Sequence, residues 1–272
     1  MRRKFKEENY DLIHCHWGYN TLFTYNKKIP IVTTYHGSDL QGEIDKFGSL
    51  SIKAYVMIFI SRLSIYFSYV NIFVSERLAR SVPRKTNNYK NHIIPMGFDE
   101  KKFLQSDKIK SKSKLGLSKS KKYVLFAGNY SQPVKGYLLA KKVMDFLDES
   151  YEMITLDYSP YDSMIDYMNS SDVLLMTSYQ EGAPVIVKEA VACGLRVVST
   201  DVGDVKKIIK DISNCFVVKN RNPEEIAAKI IESTSIVSSK IASRKIRSFS
   251  AEKMNNKVYE LYSIIIGKRK FQ

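Results

Sequence analysis

Eight short apolar runs rich in β-branched residues punctuate this chain: Asp11–His16, Pro30–Tyr35, Val70–Val74, His92–Ile94, Tyr123–Ala127, Tyr151–Asp157, Val173–Thr177 and Arg196–Thr200. Strands this short and apolar need cover on both faces, which is the situation of a parallel sheet rather than an open antiparallel one. Helical stretches alternate with them. One runs from about Leu50 to Ser68, one starts at Ser75 as N-cap, and one follows the turn GNYSQPVKG. Others cover Tyr161–Asn169 and a stretch ending near Cys193, with Gly194 as its stop. Asn222–Pro223–Glu224–Glu225 combines an N-cap, a proline at N1 and a glutamate at N3, a clear helix start. At the C-terminus Met254, Val258, Leu261, Ile264 and Ile265 fall on one helical stripe that must pack on something. The pattern predicts an α/β chain of two doubly wound, Rossmann-like domains with a cleft between them and the ligand at the C-terminal strand ends. No internal repeat of 20–50 residues is visible.

At 272 residues the length suits two domains. We divide it into a partial N-terminal domain (1–110), a linker (111–122), a C-terminal domain (123–250) and a C-terminal helix (251–272) that packs back on the N-terminal domain. Nine lysines between Lys101 and Lys122, in a Ser-rich and apolar-poor stretch, suggest the linker or a solvated loop.

A net charge of +15 admits nucleic acid, an anionic membrane surface or phosphate-bearing substrates as partners. No zinc-finger spacing, aromatic RNA-binding signature or helix-turn-helix accompanies the charge, so nucleic acid is the weakest of the three. Three scattered cysteines, Cys15, Cys193 and Cys215, make neither a disulfide framework nor a zinc site, and indicate a reducing compartment. The start MRRKFKEENYDLI lacks the apolar core of a signal peptide. Ala54–Val74 holds only one charge, Arg62, in 21 residues. Ser61, Ser64, Ser68 and Asn71 interrupt it, and a mid-span arginine would cost roughly 2.5–3.5 kcal/mol. A helix followed by a separate strand is the better reading, its exposed aromatics able to touch a membrane surface.

The most informative stretch is SYQEGAPVIVKEAVACGLRVV, Ser178–Val198. Glu181 falls in a loop after a strand, Pro184 at a helix N1 position, and Glu189 inside the helix. The free N–H groups near Val185 and Ile186, with the helix dipole behind them, form an anion site, and Gly182 lets a ligand approach the backbone. Carboxylates beside a diphosphate would repel it, so Glu181 and Glu189 should accept hydrogen bonds from sugar or ribose hydroxyls. An isolated E-x7-E spacing would be only two helix-surface glutamates.

Here the run E-G-A-P-x-x-x-K-E-A-x-A-x-G, followed by a strand and the turn TDVGD, resembles glycosyltransferase family 4, retaining enzymes of the GT-B fold. The same resemblance is carried, in order, by the strand and His-Gly-Ser-Asp of Tyr35–Asp39, by IIPMGFD (Ile93–Asp99), by Gly128 through Lys135–Gly136, and by DVLLMTS (Asp172–Ser178). It runs from about Asp11 to about Ile231 and is strongest over residues 165–205.

The resemblance implies a nucleotide-diphosphate sugar as donor and no cofactor or metal, matching the absence of an Asp-x-Asp motif. It implies donor contacts from Gly128, Asn129, Lys135, Glu181, Gly182, Ala183, Pro184, Val185, Ile186 and Glu189. Of these Lys135 holds the diphosphate, Glu181 the donor sugar and Glu189 the ribose. His36, Glu181 and Lys135 stand in catalytic positions, with Gly37, Asp39 and Gly97 on the acceptor side. The resemblance further implies a glycan acceptor in bacterial envelope or capsular polysaccharide synthesis, and the basic, aromatic-rich N-terminal half suits a lipid-linked acceptor and a cytoplasmic protein touching the inner membrane face. Two departures stand out. Asn129 occupies a turn where many members carry an arginine, and the strands and glycine-rich loop that precede Asp11 in the family are missing, so the N-terminal domain reads as truncated. The alternatives are a truncated, non-catalytic nucleotide-sugar-binding remnant and, behind it, a basic nucleic-acid-binding protein.

Overall fold

The computed structural model describes residues 10–24, 28–44, 49–82, 91–126, 128–156, 163–235 and 243–270. Two compact units emerge, one formed by residues up to Gly97 together with Glu252 onward, the other by Phe98–Ala251.

The first unit contains β1 (Ile13–His16), α1 (Gly18–Thr24), β2 (Ile31–Tyr35), α2 (Ser38–Gln41), α3 (Ile52–Phe67), β3 (Val70–Phe73), α4 (Glu76–Arg80) and β4 (Asn91–Ile93). Its four strands are parallel, in the order β1-β2-β3-β4. One sheet face is apolar: Val32, Val70, Ile72 and Ile94 meet Leu261 and Ile265 of the C-terminal helix (Ala251–Lys270). Met254 and Val258 join this contact, whereas Ile264, placed on the same stripe by its spacing, is 55% exposed. The other face is lined by a buried polar seam. Thr33 Oγ1 bonds to the hydroxyls of Thr21 (2.8 Å) and Ser68 (2.7 Å), and Tyr35 Oη to that of Ser64 (2.8 Å). This seam explains α1, which lacks an apolar stripe: its buried positions are Gly18, Thr21 and Thr24. Ser51 caps helix α3, its Oγ accepting from the Ala54 N–H at 3.1 Å, and Ser75 caps α4 as expected, accepting from the Leu78 N–H at 3.2 Å. Among the described residues no helix is long and apolar enough to cross a membrane.

The second unit runs α5 (Lys108–Lys114), β5 (Lys122–Phe126), α6 (Tyr137–Met144), β6 (Tyr151–Thr155), α7 (Met164–Ser170), β7 (Val173–Met176), α8 (Val185–Ala192), β8 (Arg196–Thr200), α9 (Val205–Ile209), β9 (Phe216–Val218) and α10 (Pro223–Ser235). All five strands are parallel, in the order β6-β5-β7-β8-β9. Alternate residues of each strand feed two cores. Leu125, Leu174, Met176 and Val197 pack on one face with Val187 and Val191 of α8; Val124, Phe126, Val173 and Val198 pack on the other with Ala140 and Ile230. The second sheet is thus covered by helices on both apolar faces, the expected doubly wound arrangement, whereas the first keeps its strands in chain order and has the C-terminal helix on its apolar face. Ala127, Asp157 and Tyr161, expected at element ends, lie outside the described residues.

The lysine-rich stretch differs from the expected linker over 111–122. Helix α5 occupies part of it, and Asp172 holds that helix down. Lys108 Nζ meets Asp172 Oδ1 at 2.6 Å, while Asp172 Oδ2 accepts from the Tyr123 N–H at 2.7 Å. Lys112 is buried, donating to the Lys121 carbonyl at 2.6 Å and lying 5.0 Å from the Tyr123 ring centroid. Phe103, just upstream, is part of the second unit's core.

Candidate active site

In the second unit the chain leaves β5, places β6 on one side and then β7 on the other, so the topological switch point lies between β5 and β7. Loops diverging there leave a crevice at the strand ends. The loop after β5 brings Gly128 and, in a 3-10 turn Pro133–Lys135, the ammonium of Lys135. The loop after β7 brings Ser178 and Glu181. Lys135 Nζ donates to Glu181 Oε1 at 2.8 Å, and Ser178 Oγ donates to the same oxygen at 2.8 Å. Gly128, Lys135, Glu181, Ala183, Pro184, Val185 and Ile186 line one open cavity of about 380 Å³, with Leu156 and Met164 completing its lining. Asn129, Gly182 and Glu189 do not line it. Asn129 turns its Oδ1 onto the N–H of Ser131 at 2.7 Å, shaping its own loop. Glu189 is 5% exposed within α8.

Pro184 is the N-cap of α8 rather than its first residue, so the free N–H groups begin at Val185 and point to the cavity end of the helix. Close packing fixes the loop geometry. Gly136 has φ +71°, and a Cβ there would lie 2.2 Å from the Thr177 carbonyl oxygen. Arg221, which no motif singles out, donates to the Thr177 carbonyl (2.8 Å) and the Ser178 carbonyl (2.9 Å) while lying 3.6 Å from the Tyr179 ring centroid. Thr200 Oγ1 donates to the Ser178 carbonyl at 2.8 Å. Behind α8, the buried Lys188 stands 3.9 Å from Asp204; burial lowers the lysine pKa and raises that of the aspartate. The result is a small crevice holding one ammonium, one carboxylate and one helix N-terminus, chemistry matched to an anion with an attached polyol.

In the first unit His36 directly follows β2, beside two histidines absent from the expected site. His16 Nδ1 and His36 Nε2 are 2.9 Å apart, with the rings stacked. His14 Nε2 meets Thr34 Oγ1 at 2.7 Å and its Nδ1 meets the Tyr262 hydroxyl of the C-terminal helix. Burial, then the neighbouring histidines, pushes His14 down to about 4; burial and His16 do the same to His36. Both rings are therefore neutral at pH 7. Among the described residues no three His, Cys, Asp or Glu side chains are placed to hold a metal ion. Asp39 is buried at 2% exposure, its oxygens accepting from the N–H groups of Gly18 (2.9 Å), His36 (3.1 Å) and Gly37 (2.9 Å). It ties the start of α1 to the His-Gly-Ser-Asp loop. Gly97 N–H points to Met254 Sδ at 3.1 Å.

The chain is similar to proteins of known family. The family model described as "Glycosyl transferases group 1" matches residues 150–245, and that described as "Glycosyltransferase Family 4" matches residues 1–102. TuaC of Bacillus subtilis strain 168, a glycosyltransferase named for teichuronic acid biosynthesis, is 23% identical over 244 residues, covering 81% of this chain and 60% of TuaC. The N-acetyl-alpha-D-glucosaminyl L-malate synthase of Bacillus anthracis is 21% identical over 249 residues, covering 77% of this chain and 61% of that enzyme. The chain thus spans about three fifths of the length of these curated relatives. Among solved structures, sucrose-phosphate synthase from Thermosynechococcus elongatus superposes with a TM-score of 0.80 at 15% identity, covering 98% of this chain and 76% of that one. Anabaena HepE in complex with UDP and glucose gives 0.75 at 16% identity, covering 93% and 78%. These likenesses show the fold, two Rossmann-like units of the GT-B type. With its two halves matched in order by the two family models, this chain belongs to the group 1 glycosyltransferases of family 4.

Proposed function

We propose that the protein transfers a sugar from a nucleotide-diphosphate sugar to a hydroxyl of a glycan or lipid-linked acceptor, with retention at the anomeric carbon and without metal. The observation that carries this reading is the Lys135–Glu181 pair at the mouth of α8, lining one cavity of about 380 Å³. Transfer breaks the bond between the anomeric carbon and the diphosphate oxygen and forms one to the acceptor oxygen, whose proton passes to the leaving diphosphate. Negative charge grows on the leaving diphosphate. Lys135 and the free N–H groups of α8 supply preorganised positive potential for that charge, while Glu181 orients the sugar hydroxyls. Glu189 is assigned to the ribose. The HepE neighbour, crystallised with UDP and glucose, supports a uridine or related nucleotide donor, and TuaC supports a role in envelope polysaccharide synthesis.

A cytoplasmic protein working at the inner membrane face fits the surface of α3. Tyr55, Phe59 and Tyr66 are each at least 60% exposed there, on a chain of net charge +15. Aromatic side chains with basic charge around them suit an anionic lipid surface.

Calorimetry with UDP, GDP and their sugars, with and without EDTA, tests the donor site. Binding that survives EDTA is expected; strict dependence on a divalent metal would overturn the site as drawn.

A further inference from the structure

The three-histidine cluster of the first unit carries a residue that the reading above leaves unused. Trp17, the only tryptophan of the chain, has φ +65°. A bulky side chain in the left-handed region is strained and persists only where its surroundings hold it. Here they do. The Trp17 N–H donates to the Thr34 carbonyl at 2.9 Å, the Trp17 carbonyl accepts from the Asn20 N–H at 3.1 Å, and the Gly18 N–H is fixed on Asp39. Yet this backbone does not bury the indole, which stays 41% exposed. It lies over His36 with ring centroids 5.0 Å apart, and beside His16 at 6.4 Å. Strain kept in order to present an aromatic face to solvent is the mark of a binding surface rather than of a core.

We propose that Trp17, flanked by His16 and His36, is the shelf on which a pyranose ring of the acceptor glycan stacks. The assignment rests on the glycosyl-transfer reading. A pyranose offers one face of C–H bonds, which suits an indole, and a rim of hydroxyls, which suits imidazole nitrogens that act as either donors or acceptors. The His16–His36 contact uses Nδ1 of one ring and Nε2 of the other, so each ring has a second nitrogen for a hydroxyl. His36 is neutral at pH 7, which favours an uncharged ring over a phosphate. The ammonium that would attract a phosphate, Lys135, belongs to the other unit.

Because Trp17 is the sole tryptophan, its emission reports this shelf directly. The probes are the methyl glycosides of glucose, galactose, mannose and N-acetylglucosamine, and disaccharides of each, titrated to millimolar concentration. A saturable change with at least one of them is expected. In transfer assays W17A should raise the acceptor KM about three- to tenfold and W17Y should recover part of the loss. Calorimetric affinity for UDP or GDP should stay unchanged in both. Unchanged emission with every sugar, in a protein that still binds nucleotide, overturns the shelf. So does emission that responds to UDP alone together with loss of nucleotide affinity in W17A. Absence of nucleotide binding in the wild type would instead sink the glycosyl-transfer reading, and the acceptor assignment with it.

Discussion

Lys135 Nζ lies 2.8 Å from Glu181 Oε1, so the ammonium proposed to hold a diphosphate is already paired with a carboxylate. A diphosphate must compete with Glu181 for that lysine, and Glu181, once released, is free to turn to sugar hydroxyls. The two residues should therefore respond differently to removal. K135A is expected to weaken UDP or GDP binding about ten- to hundredfold, the range of a charge-assisted hydrogen bond. E181A should keep or improve affinity for the bare nucleotide while losing transfer and discrimination between donor sugars. E189A should weaken nucleotide binding. Calorimetry with nucleotide and nucleotide sugar separates the three; equal losses of nucleotide affinity in E181A and E189A, at unchanged stability, would contradict the assignment.

Gly136 joins the lysine turn to the end of β7. Its φ of +71° and the 2.2 Å approach of a notional Cβ to the Thr177 carbonyl oxygen leave no room for a side chain. G136A is expected to destabilise the second unit by more than about 2 kcal/mol and to loosen the site. Denaturant unfolding measures the first effect; a variant as stable as the wild type would mean that the two loops do not touch this closely.

Stability should fall on mild acidification. His14 and His36 sit at about 4 in the folded chain, below the ordinary value of 6.5 that they regain on unfolding. Between those values the unfolded chain binds more protons, so stability drops as pH falls from about 6.5 toward about 4. Above 6.5 these groups contribute no slope. Denaturation midpoints across this range should show the loss, and H14Q should flatten it; an unchanged slope in H14Q would place the titration elsewhere.

The exposed side of α3 makes a surface prediction. The wild type should co-sediment with phosphatidylglycerol vesicles, less so as salt rises and less so in the double variant F59S/Y66S. Equal recovery with neutral vesicles, or no effect of the double substitution, would count against an anionic membrane surface.

Much of this architecture is legible in the chain because the strands of the second unit are short and apolar on both faces, and Arg196–Thr200 falls where the sequence puts it. Lys135 and Glu181 are singled out in the sequence by the family resemblance; the strand order that brings their two loops together has no local signature. Three features were hidden for identifiable reasons. Helix α5 reads as a linker because its tether, Asp172, lies 64 residues from Lys108. Helix α1 packs through Gly18 and two threonines, which leaves no hydrophobic period to detect. Arg221 acts through carbonyls of residues 177 and 178, a contact with no sequence signature.

The place where the chain enters and leaves the second unit has a consequence for biosynthesis. Phe98 is bound to Phe249 and Ala251, its N–H donating to the Phe249 carbonyl at 3.2 Å and its carbonyl accepting from the Ala251 N–H at 2.9 Å. The main segment of the second unit, Phe98–Ala251, thus has ends that clasp each other, and its two apolar cores are complete before the C-terminal helix is made. The first unit, although translated earlier, keeps the apolar face of Val32, Val70 and Ile72 uncovered until Leu261 and Ile265 emerge. The earlier-made half is the later-finished one.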